Sequence, residues 1–110
     1  MYSICPTIEA KSDVRNLAAY MNYVLKNEQA ANNFLNQYDK QIQNLTIFPF
    51  GYRGTDIQYH DYEIHLKPFS TYNIFYIIDA IQRQIVILRI LKDRQNWNYS
   101  LQAGNNYSFQ

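Results

Sequence analysis

Six ionisable side chains in the second half of the chain have the types that metal-free cleavage of RNA requires. They are Glu63, His65, Lys67, Arg89, Lys92 and Arg94. Such cleavage needs a base for the 2′-hydroxyl, cations for the charge that develops on the phosphate, and an acid for the leaving oxygen. Glu63 or His65 is the candidate base. The two arginines and Lys92 are the candidate phosphate clamps.

Aromatic residues near these cations extend the candidate site toward target binding. Trp97 lies three positions after Arg94, and interleaved aromatic and cationic side chains suit contacts with nucleic acid. Tyr99 or His60 is a further candidate proton donor. The residues expected to hold a phosphate or a macromolecular target are Lys67, Arg89, Arg94, Trp97 and Tyr99.

Each of these residues also has an ordinary structural interpretation. Alternating polar residues in a strand usually form its solvated face. Arg89 is suited to a cross-strand ion pair with Glu63, worth ~1 kcal/mol or less. Strand-end cations such as Lys92 and Arg94 protect a sheet edge from other chains, and a tryptophan most often fills the core. The spacing leaves both interpretations open.

Three apolar or alternating segments are expected to carry the candidate residues as strands. The predicted strands are 62–67, 72–78 and 85–91, with a turn at 79–84 between the last two. Side chains two positions apart in a strand share a face. If Ile64 and Leu66 face the helices, the three polar residues of the first segment lie on the opposite, open face. Arg89 is expected on the same solvent side.

The first half of the chain predicts one strand and a pair of helices. Residues 2–7 form a short strand near a sheet edge, because Pro6 cannot donate to a ladder. Ser12 is the expected cap of a first helix with Val24 and Leu25 on its apolar stripe. Asn27 is the expected cap of the second helix.

The remaining segments complete the predicted fold. Residues 49–61 are expected to form an irregular loop, and Ile47 and Phe48 to seal the junction between helices and sheet. The order is then β-α-α-β-β-β, a two-layer α+β fold with the helical hairpin on one face of a mostly antiparallel sheet. One domain over residues 1–101 is expected. A helical turn at 96–101 and a polar tail at 102–110 end the chain.

Charge is distributed unevenly along the 110 residues. The formal net charge is only +1, lower than is usual for a dedicated nucleic-acid binder. Residues 1–66 carry a net charge of −2 and residues 67–110 a net charge of +3. The C-terminal half is therefore the expected contact for an acidic partner.

The composition also limits which cofactors and which cellular compartment are expected. Cys5 is the only cysteine, so an internal disulfide cannot form. Neither a Cys/His cluster nor a nucleotide-binding motif appears, and we expect no metal and no cofactor. No stretch approaches the ~18 apolar residues of a membrane span. The expected compartment is the cytoplasm, with no membrane partner.

Several blocks of the sequence resemble the RelE/ParE family, the plasmid-stabilisation toxins of bacterial type II toxin–antitoxin systems. The blocks are Tyr72–Tyr76, Val86–Leu91, Arg94–Trp97 and, in the helix pair, Asp13–Leu17. The resemblance implies a toxin that inhibits growth when free and is neutralised by a cognate antitoxin, with which a hetero-oligomer is an expected assembly. RelE-like members cut mRNA on the ribosome, whereas ParE-like members poison DNA gyrase without nuclease activity.

Departures from the RelE pattern favour a ParE-like poison. Asn73 stands where the nucleases carry the arginine that contacts the scissile phosphate, and an amide supplies neither the charge nor the bidentate fork. The helix pair, about residues 12–46, is long, and the chain is less basic than those nucleases. A poison that binds a target such as DNA gyrase is thus favoured. The alternative is a metal-independent, ribosome-dependent mRNA endoribonuclease, so whether the chain is an enzyme stays open.

Overall fold

The computed structural model describes residues 2–92. They form two α-helices and five strands. The elements are β1 Ser3–Pro6, α1 Ile8–Ala19, α2 Glu28–Ile47, β2 Gly54–Tyr59, β3 Tyr62–Phe69, β4 Tyr72–Asp79 and β5 Gln84–Lys92. A π-helical segment, Tyr20–Val24, follows α1, and a 3-10 turn, Pro49–Gly51, follows α2.

The five strands form one sheet in the order β1-β5-β4-β3-β2. Strand β1 pairs in parallel with β5, and the other three pairings are antiparallel. The predicted edge position of the first strand and the mostly antiparallel sheet are therefore confirmed. The α+β class is confirmed as well, with one strand more than expected.

The extra strand is β2, which lies inside the segment predicted as a loop. That prediction was wrong, because Gly54–Tyr59 pairs with β3 as the second edge of the sheet. The pairing register shifts between Gly54 and Gln58, and Asp56 has a φ of 65° in the left-handed region. Exposed and buried side chains nevertheless alternate from Asp56 to Tyr59 as in a strand, but the glycines and aspartates of the segment favoured a loop.

Helix α1 begins five residues earlier than predicted, with Thr7 rather than Ser12 as its cap. The Thr7 hydroxyl accepts a hydrogen bond from Ala10 N at 3.0 Å and donates one to Leu88 O of β5 at 2.9 Å. Thr7 is fully buried. The start of the helix is thus set by a contact with the sheet that the local sequence does not reveal.

The second helix begins where the sequence predicted. Asn27 caps α2, and its side chain accepts from Ala30 N at 3.0 Å. The segment that connects α1 to α2 consists of the π-helical turn and the residues after it, including Lys26, whose φ is 51°. The two helices contact each other and form the expected hairpin.

The hairpin lies on one face of the sheet, as predicted. Its buried helical residues pack with one set of strand residues in a single cluster: Ala10, Phe34, Ile42, Leu45, Phe69, Ile74, Tyr76, Ile85, Ile87 and Ile90. A second apolar cluster occupies the other face: Ile57, Tyr59, Ile64, Leu66, Phe75, Ile77, Val86, Leu88 and Leu91. The second face is therefore apolar rather than the open, charged face that the sequence suggested.

Candidate functional site

The orientation of β3 is opposite to the one predicted. Ile64 and Leu66 belong to the cluster on the face away from the helices, at 1% and 5% exposure. Their neighbours His65 and Lys67 consequently contact the helices and the segment that follows them. The expected acid, imidazole and guanidinium patch on an open face is not formed.

Lys67 is buried under α2, at 2% exposure. Its ammonium donates to the main-chain oxygen of Gln41 at 2.8 Å and lies 5.2 Å from the centre of the Tyr52 ring. Desolvation lowers the pKa of this lysine. A phosphate cannot reach the ammonium unless α2 moves, so its predicted phosphate contact has no access in this structure.

His65 lies in the seam between β3 and the segment after α2. Its ring stacks on Tyr76 with a centroid distance of 5.5 Å, and its Nδ1 is 2.9 Å from the main-chain oxygen of Tyr52. The Tyr76 hydroxyl donates to Pro49 O at 2.7 Å, and burial raises the pKa of Tyr76. The half-buried imidazole thus helps to hold residues 49–52 against the sheet.

Glu63 is exposed on β3 and is separated from the other candidates. It pairs with Gln58 across the β2–β3 ladder, and its carboxylate lies directly over Gly54. A methyl group at Gly54 would collide with that carboxylate. Glu63 is therefore a solvent-facing carboxylate on β3, beside Gly54 of the edge strand β2.

Arg89 pairs with α1 instead of facing solvent. Its Nε and Nη2 donate to the two carboxylate oxygens of Asp13 at 2.6 and 2.9 Å. Asp13 Oδ2 also accepts from Ile90 N at 3.1 Å. The cross-strand pair with Glu63 that the sequence suggested is replaced by this bidentate contact, which occupies the guanidinium.

A bulge in β5 explains why strand alternation misplaced Arg89. Tyr76 pairs with Ile87 and Phe75 pairs with Arg89, so that Leu88 is an extra residue between them. After such an insertion the faces no longer alternate as expected. Leu88 and Leu91 accordingly belong to the same cluster, whereas Ile90 belongs to the opposite one.

The other predicted residues are exposed or outside the described chain. Lys92 is exposed at the end of β5, paired with Tyr72, and His60 is exposed in the β2–β3 turn. Arg94, Trp97 and Tyr99, together with the predicted helical turn and tail, lie outside residues 2–92. Asn73 is buried at 7% exposure between β3 and β5, so β4 supplies no cation there.

The sequence did not single out a groove between the helices. A cavity of about 390 Å³ lies between α1 and α2 and is lined by Pro6, Lys11, Val14, Arg15, Ala18, Leu35 and Tyr38. Burial, with the charges of Asp39 and Asp13, raises the pKa of Tyr38. Lys11 and Arg15 lie one turn apart beside its apolar surface. That spacing is a sequence feature that could have indicated the groove.

Two groups of large apolar side chains are exposed at the ends of the helical hairpin. Tyr23, Val24 and Leu25, at 74%, 63% and 55% exposure, surround the π-helical turn. The predicted burial of Val24 and Leu25 was wrong, because the π-helical turn shifts them off the α-helical stripe. At the other end Ile47 and Phe48 are 59% and 72% exposed, so they do not seal the junction as expected.

Comparison with known proteins places the chain in a family. Residues 6–97 match the family described as the ParE toxin of type II toxin-antitoxin system, parDE. The chain belongs to this family. The RelE/ParE resemblance of the sequence is thereby confirmed.

A solved structure has the same fold as this ParE-family chain. It is described as the chromosomal ParDE TA system from P. aeruginosa and superposes with a TM-score of 0.69 at 16% sequence identity. The similarity covers 86% of this chain and 98% of the other. Among curated protein sequences none matches the chain. No helix within residues 2–92 is long and apolar enough to cross a membrane.

Proposed function

We propose that this ParE-family protein acts in the cytoplasm as the toxin of a type II module, that it inhibits growth when free, and that a cognate antitoxin neutralises it. We further propose that it acts as a binding poison of a large target, with DNA gyrase as the family precedent. The family membership supports the toxin role, and the arrangement of cations supports the mode of action.

The binding-poison proposal rests on two residues that were predicted to hold a phosphate. Both of them interact instead with other parts of the protein. Arg89 is held by Asp13 in a bidentate pair, and Lys67 is buried beneath α2. A nuclease needs such cations free to meet the developing charge on the phosphate. A protein that acts by binding has no such requirement, so this arrangement suits a poison better than a nuclease.

The test of this mode of action is a gyrase supercoiling assay with purified toxin. We expect inhibition that rises with toxin concentration while translation on ribosomes continues. The toxin pre-incubated with its antitoxin is the matched control and should leave supercoiling unaffected. Unchanged supercoiling together with failure to retain gyrase in a pull-down would contradict the gyrase proposal.

The alternative function is that of a ribosome-dependent mRNA endoribonuclease. Two exposed residues support this alternative. Glu63 and Lys92 are open to solvent, so a base and a cation remain reachable on the described surface. His65 is the second candidate base, although its ring is stacked on Tyr76. Arg94 would have to supply the second cation.

Primer extension on translated mRNA tests the nuclease alternative. In that mechanism Arg89→Ala and Arg94→Ala abolish cleavage, whereas Asp13→Asn, which removes the carboxylate charge that pairs with Arg89, retains it. A chain that makes no cuts in the ribosomal A site is not such a nuclease. Cuts that persist in both alanine variants would exclude these arginines as clamps.

We propose that the antitoxin contacts the groove between α1 and α2 through an acidic, amphipathic segment. Val14, Leu35 and Tyr38 give the groove an apolar surface, and Lys11 and Arg15 place positive charge at its side. This combination complements a segment with alternating apolar and acidic side chains. The acidic character was expected from the +3 charge of residues 67–110, but Lys67 and Arg89 of that half are engaged within the chain.

Induction of the protein in a bacterial host without antitoxin separates a toxin from a module that retains only antitoxin binding. A toxin stops growth, and co-induction of its cognate antitoxin restores growth. Unchanged growth on induction, with the protein folded and present, would leave antitoxin binding as its remaining role.

A further inference from the structure

A second cavity, separate from the groove between the helices, opens at one end of the sheet. It has a volume of about 390 Å³ and spans all five strands, from Cys5 of β1 to Tyr59 of β2. Its apolar lining belongs to the cluster on the face away from the helices. Neither Arg89 nor Lys92, the candidate phosphate clamps within residues 2–92, lines it, whereas His60, a candidate proton donor, does. The cavity is therefore separate from Arg89 and Lys67, the cations from which the mode of action is argued.

Three cross-strand neighbours give this cavity a continuous apolar surface. Cys5 pairs with Val86 across the β1–β5 ladder, and Val86 pairs with Ile77 across the β4–β5 ladder. All three line the cavity. The methylene stem of a linear ligand fits along such a strip. Its apolar surface is then removed from water, which favours binding.

The polar wall of the cavity carries a carboxylate. Asp79 lies at the end of β4, where its Oδ1 accepts from Ile81 N and Gln82 N at 3.2 and 3.1 Å. Within residues 2–92 its Oδ2 accepts no hydrogen bond. Among the described lining residues there is no lysine or arginine. The negative charge of Asp79 disfavours the binding of a phosphate or a carboxylate and favours the binding of a cation.

Two tyrosines add an aromatic surface to the cavity. Tyr59 and Tyr62 are direct partners in the β2–β3 ladder, and both line the cavity. Tyr59 is held in place by a neighbouring ring, since it meets His60 edge to face at a centroid distance of 4.3 Å. Aromatic faces attract guanidinium and ammonium groups, and more strongly where water is excluded.

We propose that this cavity binds a guanidinium or ammonium group on an apolar stem, with Asp79 as its counter-ion and Tyr59 and Tyr62 as its aromatic wall. The chemistry is that of an arginine side chain of a partner protein or of a free alkyl-guanidine. Glutamine amides at Gln82 and Gln84 give the head group further acceptors. The site serves binding and performs no reaction.

Butylguanidine and butylurea are matched probes for this site. They share the same stem and a planar head and differ in charge. Cys5 is the only cysteine of the chain and lines the cavity, so its labelling rate with a thiol reagent reports occupancy. We expect butylguanidine to slow labelling saturably and butylurea to have little effect at the same concentration. Equal protection by both probes, or by neither, overturns the proposal.

Two asparagine variants test the role of the carboxylate. Asp79→Asn keeps an oxygen for the turn hydrogen bonds but removes the charge, and we expect binding about tenfold weaker by calorimetry. Asp56→Asn is the matched control, because Asp56 is exposed, does not line the cavity, and has a positive φ that asparagine tolerates. Unchanged affinity in a folded Asp79→Asn protein, with its thermal unfolding preserved, contradicts the assignment.

Two further probes distinguish the source of the cation and exclude a nucleobase. A Gly/Ser peptide with one arginine that binds more tightly than butylguanidine supports a protein partner, whereas the reverse order supports a free amine. A neutral nucleoside also offers a planar ring to the tyrosines. Tighter binding of adenosine or cytidine than of either guanidinium probe would overturn the proposal.

Discussion

Arg89 and Asp13 join β5 to α1 across 76 residues of sequence. Their side chains are only 24% and 14% exposed, so the pair is partly shielded from water. Asp13 also satisfies the main-chain N–H of Ile90. The carboxylate thus completes the hydrogen bonding of a strand beyond the point where β1 stops pairing with it.

We predict that Asp13→Asn lowers the free energy of unfolding by about 1–3 kcal/mol, because it removes the negative charge and one of the two oxygens that accept from Arg89. The measurement is urea unfolding followed by circular dichroism. Asp39→Asn, at an exposed site on α2, is the control and is expected to change stability by no more than ~0.5 kcal/mol. Equal effects of the two substitutions would mean that the pair does not hold α1 to the sheet.

Lys67 is the second residue whose environment differs from the sequence expectation. Because desolvation lowers its pKa, the folded chain releases this proton at a lower pH than the unfolded chain does. Between the lowered value and the ordinary 10.5, the unfolded chain binds more protons. The contribution of Lys67 to stability therefore becomes more favourable as pH rises across that interval.

We predict that Lys67→Met, which keeps the stem and removes the charge, abolishes this rise. The unsubstituted protein gains stability relative to the variant as pH increases toward 10.5. Unfolding in urea at several pH values measures the difference, which isolates Lys67 from the tyrosines. Lys40→Met on the exposed side of α2 is the control, and its profile should run parallel to that of the unsubstituted protein. A constant difference for Lys67→Met would contradict the prediction.

At the scale of elements, helix α1 shows how a tertiary contact sets a boundary. Ser12 and Asp13 form a plausible local start for a helix, yet Thr7 is the cap because its hydroxyl also reaches Leu88 O. Helix α2 has no second capping residue that a tertiary contact favours. Asn27 and the apolar stripe that follows it therefore predicted the start of α2 correctly. Local sequence thus determines α2, whereas α1 depends on β5.

We predict that Thr7→Ala costs about 2 kcal/mol, since it removes a helix cap and leaves the buried oxygen of Leu88 without its donor. Ser12→Ala should change stability by no more than ~0.5 kcal/mol. Thr7→Ser keeps the hydroxyl and should recover most of the loss, which separates the hydrogen bonds from the lost methyl group. Thermal and urea unfolding give the comparison. A larger effect at Ser12 than at Thr7 would place the cap where the sequence suggested.

The strands show which parts of the sheet a sequence pattern can predict. Strands β4 and β5 were predicted to within one residue because continuous apolar runs between turn residues have few other solutions. Strand β2 was missed although its side chains alternate from Asp56 to Tyr59, because Gly51, Gly54 and two aspartates in the segment favoured a loop. The face of Arg89 was wrong because β5 contains an extra residue, Leu88.

At the scale of the whole molecule, the sheet has an apolar cluster on each face. Strand β4 is buried on both faces, so the alternation in β3 gave no indication of which set of residues meets the helices. Choosing Ile64 and Leu66 for the helix side inverted the predicted site. The sequence predicted the order of the layers. Which side chains face solvent depends on how β3 packs against α2, and the sequence pattern does not give that packing.

Charge on the described surface bears on how the toxin would meet its antitoxin. Lys11 and Arg15 lie beside the groove between α1 and α2, whereas the exposed cations Lys40 and Arg53 lie outside its lining. Like charges at a groove steer an acidic partner during diffusional encounter, and salt screens that attraction. The proposed antitoxin contact therefore predicts a local and salt-dependent effect on the association rate.

We predict that the double substitution Lys11→Glu and Arg15→Glu slows association with the antitoxin by roughly tenfold or more at low salt, with most of the difference lost at high salt. Stopped-flow mixing with the labelled antitoxin measures the rate. The double substitution Lys40→Glu and Arg53→Glu changes net charge by the same amount and is the control. Because long-range steering depends on where charge is placed, the control should slow association far less. Equal slowing by both pairs would indicate that net charge alone governs the encounter and that the antitoxin does not enter this groove.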